Sequence, residues 1–230
     1  MAGIGKGLTM AYLAIPNYTV IATGDSSRPI LLQLSLDSPS TIAQAISQAQ
    51  EQHLVNQIDI VIANAGICNH CGSVVDMEDR DMTFHFEVNT LGPLRLFRAV
   101  IPLLEASKQP KFVYISSELA STTGLDNSSS MTTAYGVSKV ASNYMIKKIH
   151  TEHEALISFS IDPGSVYTSS KFPVVMIGFL VILHLIRGNP SDKSCLFRFV
   201  QTNMGNRSGR LGGLAKAPMS IDESVEGTIE

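Results

Sequence analysis

Ile58-Asp-Ile-Val-Ile-Ala-Asn-Ala-Gly66 is the stretch that decides the fold. Its apolar, β-branched run stops at an asparagine and a glycine. A short run of this kind, closed by turn-forming residues, predicts a strand buried on both faces. Lys111-Phe-Val-Tyr-Ile-Ser116 repeats the pattern downstream. Tyr18-Thr-Val-Ile-Ala22, Pro29 to Leu36 and Leu156 to Ile161 supply three further strands. Helical signals lie between them. Asp37-Ser38-Pro39-Ser40 is a helix start, followed by Ile42, Ala45, Ile46 and Ala49 on one face. A long helical stretch runs from Asp81 to Glu105, with Gly92-Pro93 and Pro102 expected to bend or break it. Tyr135 to Glu154 reads as another helix. Strands alternating with helices predict an α/β fold, a Rossmann-like, doubly wound parallel sheet, in one domain over residues 1–230. Ligands of such sheets bind at the C-terminal ends of the strands, so chemistry is to be sought just after each one.

Composition narrows the function classes. The 230 residues are 44% hydrophobic, which excludes a wholly disordered chain and allows a sizeable core. Lys plus Arg number 17 against 20 Asp plus Glu, so there is no basic footprint for nucleic acid. Three cysteines make no disulfide framework and point to a reducing compartment, hence a cytoplasmic location. The N-terminus lacks the apolar core of a signal peptide. Phe172 to Ile186 is the longest apolar run, but Pro173, Gly178 and His184 interrupt it, and a spanning helix needs about 20 residues. A buried strand or helix is the preferred reading, over a membrane anchor. Cys68-Asn-His-Cys71 lacks a second CxxC, so no metal site is expected there.

The residues after the strands form a constellation. Asn64-Ala65-Gly66 follows one strand, and Ser116-Ser117 the next. The following helix opens with Tyr135-Gly-Val-Ser-Lys139, whose Tyr and Lys share a helix face. A nearby ammonium favours the phenolate, which predicts a lowered Tyr135 pKa and a residue able to exchange a proton with a carbonyl or alcohol oxygen. A Ser117 hydroxyl could hold the same oxygen.

With these residues in view, the chain resembles the classical short-chain dehydrogenase/reductases. More narrowly, it is similar to fungal ketoreductases of the norsolorinic acid ketoreductase type. The likeness rests on Gly3-Ile-Gly-Lys-Gly-Leu8, Ile62-Ala-Asn-Ala-Gly-Ile67, Val88-Asn-Thr-Leu-Gly-Pro-Leu-Arg-Leu-Phe97, Phe112-Val-Tyr-Ile-Ser-Ser117, Ala134-Tyr-Gly-Val-Ser-Lys139 and Pro163-Gly164. It resumes at Val200-Gln-Thr-Asn-Met-Gly-Asn206. The resemblance implies a catalytic set of Asn89, Ser117, Tyr135 and Lys139, with Tyr135 as proton donor in ketone reduction. It implies NADP as cofactor, with NAD left open. Gly3, Ile4 and Gly5 would approach the cofactor, Asp37 the adenine, and Asn64, Ala65 and Gly66 the adenosine ribose. Tyr135 and Lys139 would face the nicotinamide ribose, and Pro163, Gly164, Val166 and Thr168 the nicotinamide. Thr202 is a second candidate for the role of Thr168. The implied partners are a small-molecule carbonyl substrate, with an aromatic polyketide as one class, and further copies in a dimer or tetramer.

The sequence also departs from the family pattern. Only the GIG end of the first glycine loop is present, at Gly3-Ile4-Gly5, and the first and last strands of the family are lacking. Residues 165–199 read as an insertion. A missing central strand leaves its two neighbours short of hydrogen-bond partners, which is costly when buried. Val174 to Leu183 of the insert is therefore expected to join the sheet. The arginine position that would hold a 2′-phosphate reads Thr23-Gly24-Asp25, with Arg28 as a substitute. These departures keep open an alternative: a catalytically impaired, nucleotide-binding relative, or the product of an imperfect gene model.

Overall fold

The structure is a computed structural model and describes residues 3–16, 18–23, 30–125, 131–164 and 181–185. Its elements are α1 (Gly3–Ala14), β1 (Tyr18–Thr23), β2 (Ile30–Leu32), α2 (Pro39–His53) and β3 (Ile60–Ala63). There follow α3 (Asp79–Phe86), α4 (Gly92–Glu105), β4 (Lys111–Ile115), α5 (Thr133–Glu152), β5 (Ile157–Ile161) and β6 (Val181–Leu185). The strands form a six-stranded sheet in the order β2-β1-β6-β3-β4-β5. β1 pairs parallel with β2, and β3, β4 and β5 pair parallel in series.

The expected Rossmann-like fold is present, and the expected gap is filled. β6 lies between β1 and β3 and runs antiparallel to both. Ile182 pairs with Ile21 on one side and with Val61 on the other. Of the expected Val174 to Leu183, residues 181–183 lie in β6, which continues to Leu185, and residues 174–180 lie outside the described residues. The sheet is therefore mixed rather than purely parallel. The physical cause is the backbone demand of β1 and β3, whose inward N–H and C=O groups need a strand between them. Antiparallel entry is topologically simple. β5 ends and β6 begins at the same edge of the sheet, since Val181 lies opposite Ala22 and Ile62.

Strand periodicity sorts the core into two layers. Val61, Ala63, Phe112 and Tyr114 face one side, where they pack with Ile42, Ala45, Ile46 and Ala49 of α2, Leu96 and Val100 of α4, and Ile146 and Ile149 of α5. Phe97 meets Phe112 edge-on at 5.2 Å. Ile60, Ile62, Val113 and Ile115 face the other side, against Ile4, Leu8 and Tyr12 of α1. Alternate residues of one strand thus serve opposite helix layers, the period-2 rule for a doubly covered sheet.

Two expectations shift in detail. The strand expected over Pro29 to Leu36 is confined to Ile30–Leu32. Beyond it the chain turns, and Thr41 of α2 bonds back to the Ser35 N–H at 2.9 Å. The long helical stretch starts at Asp79, and its irregularity precedes Gly92. Residues Glu87–Leu91 form a π-turn, in which the Gly92 N–H reaches back to the Glu87 carbonyl. Pro102 lies inside α4 without ending it.

A proline in β6 tests its place in the sheet. Ile182→Pro removes a ladder donor and restricts the backbone in a central strand, so it should lower unfolding stability by about 3 kcal/mol. Urea denaturation reads this, and an unchanged midpoint would mean that β6 does not bridge the two halves.

Candidate active site

The site is built at the C-terminal edge of β3, β4 and β5. Pro93 sets its first part. An α-helix would pair the Asn89 carbonyl with the N–H four residues on, and Pro93 has none. The Asn89 carbonyl instead accepts from the Tyr114 hydroxyl at 3.1 Å and from Ser142 Oγ at 2.8 Å. The π-turn around it turns the Asn89 side chain inward, where it is fully buried. Asn89 Oδ1 accepts from the Ile67 N–H at 2.7 Å. Asn89 Nδ2 donates to the Ile67 carbonyl and to Ser138 Oγ, both at 2.9 Å. One carboxamide therefore clamps the loop after β3 to α5. π-turns recur at functional sites.

Gly66 occupies the tightest point of this clamp. A Cβ there would stand 3.1 Å from Asn89 Oδ1 and 3.4 Å from Lys139 Nζ. Glycine is thus the residue that lets the loop pass between the two side chains. Its neighbour Asn64 is buried, and its Oδ1 has no hydrogen-bond partner among the described residues.

α5 delivers Tyr135, Ser138 and Lys139, all buried. Lys139 Nζ donates to the Ile115 carbonyl at 2.7 Å, at the end of β4. It lies 4.6 Å from the centre of the Tyr114 ring and 5.5 Å from that of Tyr135. Ser117 follows β4, caps a short 3-10 turn by accepting from the Leu119 N–H, and hydrogen-bonds the Tyr135 hydroxyl. The four residues expected to converge, Asn89, Ser117, Tyr135 and Lys139, do so.

The charge states differ from the sequence expectation. Tyr135 is not lowered: burial pushes its pKa well above the ordinary phenol value, the charges of Cys68 and Tyr114 add to the rise, and the Ser117 hydrogen bond opposes it. Desolvation outweighs the nearby ammonium because the whole phenol is out of water. Burial also pulls the Lys139 ammonium down to about 7, against the opposing pull of Cys68 and Asp162. Tyr135 is consequently a neutral phenol across the physiological range.

Of the remaining expected residues, the structure describes Gly3, Ile4, Gly5, Asp37, Pro163 and Gly164. α1 starts at Gly3, and Ile4 and Gly5 form its first turn. The Ile4 side chain is buried in the core, which leaves the first-turn N–H groups as what this segment offers a ligand. Asp37 is exposed, its carboxylate bonded to Ser35 Oγ, and Ser38 rather than Asp37 holds the N-cap position of α2. Pro163 follows β5, and Gly164 adopts a left-handed φ of 70°. Val166, Thr168, Thr202 and Arg28 lie outside the described residues.

The sequence profile described as short chain dehydrogenase matches residues 16–175. The chain belongs to the short-chain dehydrogenase family. Among its relatives is the norsolorinic acid ketoreductase of Aspergillus parasiticus, 33% identical over 98% of this chain and 77% of that protein. The norsolorinic acid ketoreductase of Dothistroma septosporum is 30% identical over 98% of this chain and 78% of its own length. In fold, the short-chain dehydrogenase aligns with the carbonyl reductase Sniffer of D. melanogaster at a TM-score of 0.72 and 19% identity, covering 99% and 86% of the two chains. The NADPH-bound carbonyl reductase from chicken fatty liver aligns at 0.69 and 21% identity, over 98% and 81%.

This short-chain dehydrogenase is accordingly an oxidoreductase of a family that uses NAD(P). The residues present fit such a group. The buried, partnerless Asn64 Oδ1 is an acceptor suited to a ribose hydroxyl. Among the described residues no helix is long and apolar enough to cross a membrane. Sequence reasoning missed two contributors to the site: Tyr114 and Ser142, which take the freed Asn89 carbonyl. The signal for both was Pro93, four residues after Asn89.

Lys139 gives the fold a pH dependence. Its folded pKa lies below its unfolded value, so between about pH 7 and 10.5 the unfolded chain binds more protons. Unfolding free energy should therefore rise with pH in that window, by about 2 kcal/mol from pH 7 to pH 9. Lys139→Met should flatten the slope, as followed by urea denaturation at both pH values.

Proposed function

We propose that the enzyme reduces a ketone to a secondary alcohol with NADPH, and that its substrate is an aromatic polyketide. The observation that carries the reaction is a buried, protonated Tyr135 held by Ser117, with Lys139 behind it. The substrate class comes from the norsolorinic acid ketoreductases, which this chain resembles over nearly its full length.

In this reading Ser117 orients the carbonyl oxygen through its hydroxyl. When bound, the reduced nicotinamide supplies a hydride to the carbonyl carbon. Tyr135 gives its proton to the oxygen, so the C=O π bond is replaced by one C–H and one O–H bond. Tyr135 is left as a phenolate, and the Lys139 ammonium stabilises that charge. Ile115 fixes Lys139 through its carbonyl. Asn89 holds the β3 loop and α5 in register and completes the tetrad.

The cofactor-binding set is Gly3, Ile4 and Gly5 for the phosphates, Asp37 for the adenine, and Asn64, Ala65 and Gly66 for the adenosine ribose. Tyr135 and Lys139 serve the nicotinamide ribose, and Pro163, Gly164, Val166 and Thr168 the carboxamide. The proposal places all of this in one domain with an insertion at about 165–199, in a cytoplasmic dimer or tetramer. NADP rather than NAD follows from the family resemblance.

One observation favours a second reading. The family's first strand leads into its phosphate loop, and here antiparallel β6 takes that strand's place. A nucleotide-binding relative without turnover would keep the tetrad and lack that loop.

Tyr135→Phe decides between them. In the ketoreductase, this variant should lose at least about a hundredfold in kcat with an aryl ketone while NADPH still quenches or enhances its fluorescence normally. Undiminished turnover would remove Tyr135 from the chemistry. NADPH binding by the unaltered protein, with no turnover on a panel of aryl ketones, would favour the second reading.

A further inference from the structure

We infer that Tyr114 is a positioning residue of this site: the face of its ring carries the Lys139 ammonium and keeps it charged beside Tyr135. The role rests on the proposed reduction, and it falls to a residue outside both the tetrad and the cofactor set.

Tyr114 lies on β4 in the interior of the sheet, where it pairs with Ala63 of β3 and Ser160 of β5. Side chains alternate along a strand, so Tyr114 joins the core layer of α4 and α5, while Ile115 joins that of α1. The Tyr114 ring is fully buried and held at both ends. Its backbone is fixed in the ladder, and its hydroxyl donates to the Asn89 carbonyl at 3.1 Å. Lys139 Nζ stands over this ring, 4.6 Å from its centre. That is inside the ~6 Å within which a ring face attracts a cation. The Ile115 carbonyl, one residue on, accepts from the same Nζ at 2.7 Å. Consecutive residues of β4 thus offer one ammonium a ring face and a carbonyl. From α5 itself, the Tyr135 ring adds a more distant face at 5.5 Å.

A buried ammonium depends on such partners. Burial pulls Lys139 down to about 7, while the charges of Cys68, in the loop after β3, and Asp162, after β5, favour its proton. Tyr114 and Tyr135 both keep their own protons, because burial raises both phenols. Tyr114 therefore presents a neutral ring whose face is negative only through its quadrupole. That quadrupole attracts the ammonium and not the neutral amine, and the attraction is greatest out of water. The ring thereby favours the charged form of Lys139, the form that a Tyr135 phenolate requires once its proton is given. An aliphatic side chain at this position would fill the core and offer no such face. The ring can be separated from the hydroxyl, since the Asn89 carbonyl keeps the Ser142 hydroxyl at 2.8 Å when the Tyr114 hydroxyl is removed.

Tyr114→Phe keeps the ring and drops the hydroxyl. Whatever it does to the rate, it should leave the alkaline limb of kcat against pH in place. Pentafluorophenylalanine at position 114 keeps the ring's shape but reverses the charge of its face. Its alkaline limb should lie at a pH lower than that of Tyr114→Phe by at least about half a unit. Equal limbs in these two folded proteins overturn the role, and so does a Tyr114→Phe limb displaced as far as the fluorinated one. Where the fluorinated protein does not fold, Tyr114→Leu takes its place, with the same expected shift and the same overturning result. A readout independent of turnover separates this role from the proposed reaction. The rise of stability with pH that Lys139 produces should begin at lower pH without the negative face, by urea denaturation in steps of about a quarter unit. A merely structural loss lowers stability alike at each pH and leaves that onset in place. If the onset moves while the unaltered protein reduces no ketone, the reaction fails and the action of the ring on Lys139 stands. If the protein reduces ketones, Tyr135→Phe does not, and neither limb nor onset moves, only the role of Tyr114 fails.

Discussion

The carbonyl of Asn89 has no helical partner, because the residue four positions on is Pro93. Much of the site follows from that covalent fact. The freed carbonyl turns to Tyr114 and Ser142, which binds the helical run to β4 and α5. The π-turn that accommodates it carries the Asn89 carboxamide inward to Ile67 and Ser138. Each of these groups is buried, so leaving any of them unmade would cost about 1–3 kcal/mol. Three elements distant in sequence are held together by one side chain and one carbonyl, and Gly66 is the residue small enough to thread between Asn89 and Lys139.

A second constraint acts on the whole sheet. β1 belongs to one half of the doubly wound fold and β3 to the other, and the two are not paired with each other. β6 supplies the missing backbone partner from far along the sequence, in the opposite direction. The ladder is satisfied, and the edge at which ligands bind keeps the ends of β3, β4 and β5. β6 restores the pairing, and the buried Tyr135 and Lys139 of α5 lie beside the end of β4.

Desolvation governs the chemistry more than pair charges do. Placing Tyr135, Lys139 and Tyr114 in one dry cluster raises both phenols and depresses the amine. An acid that stays protonated, beside a lysine poised near neutrality, suits proton delivery to a carbonyl oxygen more than proton removal from an alcohol. The charges of Cys68 and Asp162 pull the lysine pKa back up in part.

The sequence by itself determined the strand and helix alternation, because hydrophobic period and turn chemistry are local. Ile60–Ala63, Lys111–Ile115 and the Ile42 to Ala49 face were legible for that reason, as was the set Asn89, Ser117, Tyr135 and Lys139 by family resemblance. It also contained the reason for the π-turn, in the spacing from Asn89 to Pro93, though a proline reads first as a break. Only the tertiary structure decided that β6 enters antiparallel, since pairing direction depends on where chain ends fall in space. It also decided the protonation of Tyr135. The spacing of Tyr135 and Lys139 pointed to a lowered pKa, but how much water reaches a phenol is set by what packs around it, and those segments lie far apart along the chain.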